Sequence, residues 1–334
     1  MAASAPIASS GTAAPTASTT RSRTPGRSGR GSSGSGRTLV TPPGERAHRP
    51  LRSLAYMCGA AGTFALLNAA AKALTADFPV VELLWARTAG HLAFVVAAFG
   101  PRYGRRLFAT RHPVFQLSRS LLLMGSTAFN FAALRFIGLA TATTINFTAP
   151  FMVALLGVPL LGERVGPRRW LTIGVGFLGV LIVIRPGSNV AQLASLLALG
   201  TAVCYAGYQV LTRRVAATDP PETTVGYSAL LGTALTTLVL PFSWVPPTSW
   251  TQIALLLSMG LTGGLGHYLV ARAYIWAPAA VVSPFNYVQL LGAAMTGYFF
   301  FGEVPDATLW LGALLIVGSG IAMAWSEARR PATA

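Results

Sequence analysis

The chain repeats itself at a spacing of 140 residues. Asn146, Gly157, Gly162, Glu163, Trp170 and Leu171 recur as Asn286, Gly297, Gly302, Glu303, Trp310 and Leu311, each pair 140 positions apart. Each copy is an apolar run, a Gly-Glu punctuation, a short polar link and a second apolar run opening on Trp. That plan is a membrane helical hairpin written twice. A looser match extends outward: Glu82 pairs with Glu222 and Pro101 with Pro241 at the same spacing, and Asn68 with Gln209 and Lys72 with Arg213 to within one residue.

Hydrophobic residues make up 53% of the chain and charged ones 10%, against about 25% charged in soluble domains. A helix needs about 20 mostly apolar residues to cross the hydrocarbon core. Ten runs qualify, at 53 to 73, 79 to 99, 115 to 136, 140 to 161, 169 to 185, 192 to 212, 223 to 243, 251 to 274, 279 to 301 and 308 to 326. Proline and glycine turn chemistry separates them, as at Phe78-Pro79, Gly100-Pro101, Gly166-Pro167, Pro186-Gly187 and Pro220-Pro221. The predicted fold is all-α, a polytopic membrane protein whose ten transmembrane helices form two five-helix repeats, residues 53–187 and 192–327. Five crossings per repeat invert the second repeat relative to the first.

Charge fixes the orientation, because Lys and Arg are retained on the cytoplasmic side of membrane helices. With the N-terminal tail inside, that side collects twenty arginines, while only Lys72, Arg135 and Arg185 fall on or near the other. The link after Glu163 carries Arg164, Arg168 and Arg169, whereas its copy after Glu303 carries none and has Asp306. Six tryptophans, Trp170 and Trp310 among them, sit at predicted helix ends, where amphipathic rings settle at headgroups. Residues 1–52 form a basic tail rich in Ser, Thr, Gly, Pro and Arg that cannot bury enough surface to order itself; residues 328–334 form the other tail. Both termini are expected in the cytoplasm of a bacterial inner membrane. The first tail lacks the apolar core of a secretory signal, but its composition also suits an organellar transit peptide, which places an organellar membrane second.

Lys72 followed by Phe78-Pro79 and Arg87, then FTAPFMVALLGVPLLGERVGPRRW with GFLGVLIVIRPG, then Gly302-Glu303 with Trp310 and Gly312, carry a resemblance. Over residues 53 to 326 the chain resembles the drug/metabolite transporter superfamily in its ten-helix form built from two EamA domains. Pro150 and Glu163 fit that family's Pro-x12-Glu pattern, and the second half carries Leu290 in place of the proline. The resemblance implies a 5+5 inverted basket around a central cavity, moving small organic metabolites by alternating access. Pro150, Glu163, Glu303, Trp170 and Trp310 are then structural family marks, with each Glu expected to anchor the turn into its Trp-led helix through exposed backbone amides.

Charged groups inside a span are functional candidates by default. Arg87 and His91 stand four residues apart, on one face of the second helix. Either they line the cavity, or Arg87 ties helices together through carbonyls or Glu82 and His91 is an interhelical hydrogen bonder. Tyr205, Tyr208 and Gln209 share a face of the sixth helix, and Asn286 and Gln289 a face of the ninth. Their amides suit substrate hydrogen bonding and the tyrosines stacking on a planar ligand, while interhelical bonding competes for the same groups. His267, Tyr268 and Asn130 are weaker candidates. No carboxylate reaches the midplane, so a proton carrier would have to be His91 or His267, since free histidine titrates near about 6.5.

Cys58 and Cys204 fall inside apolar runs, with no metal-ligand spacing around them. No metal, cofactor or catalytic residue is expected, and Walker A, GxSxG and HExxH motifs are absent. The tail lacks the interleaved aromatics of a nucleic-acid binder. The expected partners are a small-molecule substrate and the lipid bilayer, with a homodimer left open. Two other readings stand beside the metabolite transporter. One is a riboflavin-type vitamin importer, suggested by the FTAPFMVALLGVPLLGERVGPRRW block; the other is a non-transporting scaffold or membrane-embedded enzyme.

Overall fold

The computed structural model describes residues 50–161, 166–185, 190–215, 218–276 and 283–328. Among them lie ten helical segments in the predicted order: α1 (Pro50–Leu74), α2 (Val80–Tyr103), α3 (Pro113–Leu134), α4 (Leu139–Asn146) with α5 (Ala149–Leu161), α6 (Pro167–Ile184), α7 (Val190–Val215), α8 (Pro221–Val239), α9 (Trp250–Trp276), a 3-10 turn Ser283–Tyr287 leading into α10 (Val288–Phe301), and α11 (Ala307–Ala328). No strand occurs among the described residues. Most of the two tails, and Glu163 with its neighbours, lie outside the described residues. Residues 50 to 52, expected in the tail, instead form the first turn of α1, and Arg52 stacks on Trp276 at 5.6 Å.

Among the described residues seven stretches are long and apolar enough to cross a membrane, and Trp170–Ile184 is a shorter apolar helix. The α3 helix misses that standard because Gln116, Arg119, Ser120, Ser126 and Asn130 interrupt it, and all five are buried. In lipid, such groups persist where neighbouring helices supply partners.

The fourth predicted span is broken. Pro150 has no N–H, and its ring opposes the carbonyl four residues back, so a helix cannot run through unchanged. The chain turns at Phe147 and Thr148, whose hydroxyl donates to the Ile145 carbonyl at 2.8 Å, and α5 restarts beyond. The second copy has Leu290 at the proline's place, yet its 3-10 to α junction falls at Tyr287 and Val288, the same register.

The two repeats interlock. Helix α1 packs along α9 as its mate α7 packs along α3, and α1 meets α10 as α7 meets α5. Mates also pack on each other, α2 on α8 and α6 on α11. An approximate two-fold axis therefore relates the repeats, passing between α4 and α10, which also touch. The main apolar cluster lies there, built from Leu74, Phe131, Leu139, Ile145, Leu290 and Leu309 among others.

Close helix approach holds helices of the two repeats together where the hydrophobic effect cannot. At the crossing of α2 and α9, a side chain on Gly90 or Gly260 would land on the other's backbone. At the crossing of α6 and α11, a Cβ on Gly179 would stand 2.8 Å from the Gly312 carbonyl. Gly174 and Gly318, which share those helices, face open space.

Candidate functional site

Arg87 and His91 do share a buried face of α2, 8% and 4% exposed. They line a cavity of about 10 Å³, room for about one water, together with Thr88, Ser120, Leu123, Met124, Ser228, Ala229 and Gly232. The cavity lies between α2, α3 and α8, so both repeats build it. Arg87 does not pair with Glu82, whose carboxylate accepts the Val245 amide at 3.1 Å instead. The Arg87 Nε and His91 Nε2 atoms are buried without hydrogen-bond partners. The His91 ring stacks on His267 of α9, centroids 5.3 Å apart and planes 9° apart, and Phe64 closes the other edge of His267.

Arg119, not singled out from the sequence, completes the cluster. Its side chain is fully buried on α3, donating from Nε to Thr212 at 3.0 Å and from Nη1 to Gln116 at 2.9 Å and the Thr224 carbonyl at 2.7 Å. The guanidinium lies over the Tyr208 ring, 4.7 Å from its centroid. The charge inventory held the signal: of twenty-five cations, twenty are expected on one side and three on or near the other, which leaves Arg87 and Arg119 inside.

Gln116 links this cluster to the arginine-rich face by donating to Asp219 at 2.8 Å, and Thr110 donates to the same carboxylate. Burial pushes the Asp219 carboxyl up, but hydrogen bonds from Thr110, Gln116 and the Arg111 amide outweigh it and hold the group below the usual carboxylate range. Gln252 reaches Asp77 at 3.1 Å on the opposite face, the repeat's counterpart of the same clasp.

The other expected candidates divide. Tyr208 joins the arginines, while Tyr205 stacks on it at 5.6 Å and is 38% exposed. Gln209 is half-buried on α7, and neither Gln209, Asn286 nor Gln289 lines the Arg87 cavity. Asn286 and Gln289 sit half-buried at the start of the ninth segment, which packs on α1. Asn146, the repeat partner of Asn286, donates to Asn130 at 2.9 Å, and Asn130 to Asn68 at 3.1 Å, an amide ladder across α4, α3 and α1. Tyr268 packs its ring edge on Phe94.

Glu303 differs from expectation. Its carboxylate turns away from the Trp310-led helix, accepts the Leu139 amide that opens α4 at 2.8 Å, and pairs with Lys72 at 2.6 Å. Lys72 also donates to the Leu134 and Ile137 carbonyls at 3.3 and 2.7 Å. The reason is room: Gly138 and Gly297 lack side chains where the carboxylate passes. The amides at the start of α11 are taken by Asp306, which accepts from Leu309 at 2.8 Å and from Arg185. Those bonds, Arg185 first and then the Leu309 amide, hold the Asp306 carboxyl down to about 2. Arg185, Asp306, Ile137, Gly138, Thr141 and Ser195 line an open pocket of about 310 Å³ on this face. Trp170 and Trp310 begin their helices about half exposed, 49% and 45%.

The profile of the EamA-like transporter family matches residues 51–185 and 192–325. A riboflavin transporter of Vibrio cholerae is 30% identical over 276 residues, covering 81% of this chain and 92% of its own. An S-adenosylmethionine uptake transporter of Rickettsia bellii is 27% identical over 70% of this chain and 80% of its own, and a pseudopaline exporter of Pseudomonas aeruginosa 30% identical over 78% and 92%. A crystal structure at 23% identity overlays with a TM-score of 0.56 over 82% of this chain and 99% of that one, a likeness of fold. The chain is a multi-pass bacterial membrane protein that transports small molecules, and it belongs to the EamA-like transporter family.

Proposed function

We propose that the chain is a secondary transporter working by alternating access, with its substrate's anionic group bound at Arg87. The observation that carries this is a guanidinium 8% exposed, with a buried, unpartnered Nε, between helices of both repeats. A buried charge is strongly unfavourable without a partner, so the site suits an anionic or zwitterionic organic molecule, with Tyr208 available to a planar part. His91 and His267 supply polar edges beside it. With no midplane carboxylate, transport runs as exchange or facilitated flow, or couples to protons through those histidines.

Tracer uptake into proteoliposomes tests the reading. Arg87→Ala abolishes flux while folded protein accumulates, and Arg87→Lys restores part of it, because a point charge cannot reproduce the planar fork. Arg87→Ala protein that fails to accumulate or melts early would make the arginine a structural tie. Riboflavin import is the second reading, favoured by relatives from Vibrio cholerae and Rhizobium johnstonii, 30% and 32% identical over more than four fifths of this chain. Growth of a riboflavin auxotroph lacking its own importer, on limiting riboflavin, separates the two. A scaffold or enzyme would support neither flux.

A further inference from the structure

We infer that the Arg87 cavity is a binding site for a small inorganic anion of halide size, chloride in physiological solution, occupied when organic substrate is absent. Three observations converge. The cavity's size of about 10 Å³ admits about one water-sized occupant, too small for any organic metabolite as it stands. Its walls hold unpartnered polar nitrogens: Arg87 and His91 are more than nine-tenths buried, with the Arg87 Nε–H donor and the His91 Nε2 lacking partners. Beside them the Ser120 and Ser228 hydroxyls stand 3.2 Å apart at the cavity wall with Thr88, Ser228 donating to the Thr224 carbonyl at 3.2 Å and Thr88 to the Leu84 carbonyl at 2.8 Å.

Charge decides between water and an anion. No carboxylate lines the cavity, and a second guanidinium, Arg119, is fully buried one residue from Ser120 with its Nη2 also unpartnered. A water would satisfy donors but leave the guanidinium charge uncompensated. An anion does both, with charge-assisted bonds, the stronger kind, from the guanidinium and from a Ser228 hydroxyl turned off the Thr224 carbonyl to which it now donates. The inference deepens the transport reading, on which it rests for the cavity's access to solvent: substrate would displace the resident ion as the cavity widens.

The test uses the full chain purified in detergent, without organic substrate. Thermal unfolding is followed as chloride replaces gluconate, an anion too large for the cavity, at constant ionic strength. The melting temperature should rise saturably with chloride, lose that dependence in Arg87→Gln, and keep it in Arg105→Gln on the surface. Ser228→Ala should shift the half-maximal chloride concentration about tenfold upward. Equal melting in the two salts, or an unchanged chloride response in Arg87→Gln, overturns the site in favour of water or surface screening. If Arg87→Gln does not fold, an unchanged midpoint in Ser228→Ala overturns it. A chloride response in protein that moves no organic anion would instead sink the transport reading alone.

Discussion

Phe147 and Tyr287, 140 positions apart in sequence, meet edge to face with ring centroids 4.8 Å apart and planes at 69°. Equivalent residues touch only beside a symmetry axis, so this pair marks where the axis relating the repeats passes. Each ring ends the first part of a broken helix: Phe147 follows α4, and Tyr287 closes the 3-10 turn before α10. The breaks let the two segments cross at the centre without either running through the other.

The Tyr287 hydroxyl fills the space where a side chain on Gly320 would stand. Gly320→Ala should therefore overpack this contact and destabilise the protein by about 1–3 kcal/mol. Removing the hydroxyl with Tyr287→Phe in the same chain should return most of the loss. Detergent unfolding of the two single variants and the double variant checks this; additive losses would show that the contact does not matter.

Lys72 and Glu303 are 15% and 23% exposed and join α1 to the link after α10, with the Leu139 amide as a third member. Removing one partner strands the other, so Lys72→Met or Glu303→Gln alone should cost about 2–3 kcal/mol, below the range for a fully buried pair. The double variant should cost less than the sum of the two, measured by the same unfolding cycle. Equal and additive effects would mean that the charges act separately.

Arg119 donates its planar fork to Thr212, Gln116 and the Thr224 carbonyl and lies over the Tyr208 ring. Arg119→Lys keeps the charge but not the fork, and should lower flux about tenfold or more with folded protein retained. Tyr208→Phe, which keeps the aromatic face, should fall much less than Tyr208→Ala. Flux per folded molecule is the readout, and indistinguishable Phe and Ala variants would remove the stacking argument.

Asp306 is held at about 2 by Arg185 and the Leu309 amide, below its ordinary 3.8. A depressed carboxyl stabilises the fold fully above the unfolded value, and that contribution fades as pH falls through the folded one. Acid unfolding between about pH 4 and pH 2 should thus weaken this contact, and Asp306→Asn should flatten stability across that window. Both groups are half exposed, so the change should be modest and shrink in high salt. A pH profile unchanged by Asp306→Asn would count against it.

Single cysteines at Gly166 and Asp306 report orientation. We expect labelling from opposite sides of the membrane, with Gly166 reached from the cytoplasm, because the arginines of the first link are replaced by an acid in the second. Labelling of both from one side would end the inverted arrangement.

The ten helical segments and the 140-residue repeat could be read from the sequence, because membrane helices declare themselves through length and apolarity. Arg87 and His91 were legible for a related reason: a charge within an apolar run has few harmless explanations. In the sequence the fourth span reads as one run from 140 to 161, although the missing N–H of Pro150 carries the signal for its break; the equivalent junction at Tyr287 carries no proline and showed itself only in the structure. Tertiary packing decided the rest. Which helices touch depends on side-chain fit and close glycine crossings between segments distant in sequence, so the His91–His267 stack, the buried Arg119 and the Lys72–Glu303 pair became visible only once the repeats were interlocked. The same packing sent the Glu303 carboxylate to the Leu139 amide and set Asn286 and Gln289 off the wall of the Arg87 cavity, since a shared helix face says which residues look the same way but not what stands opposite them.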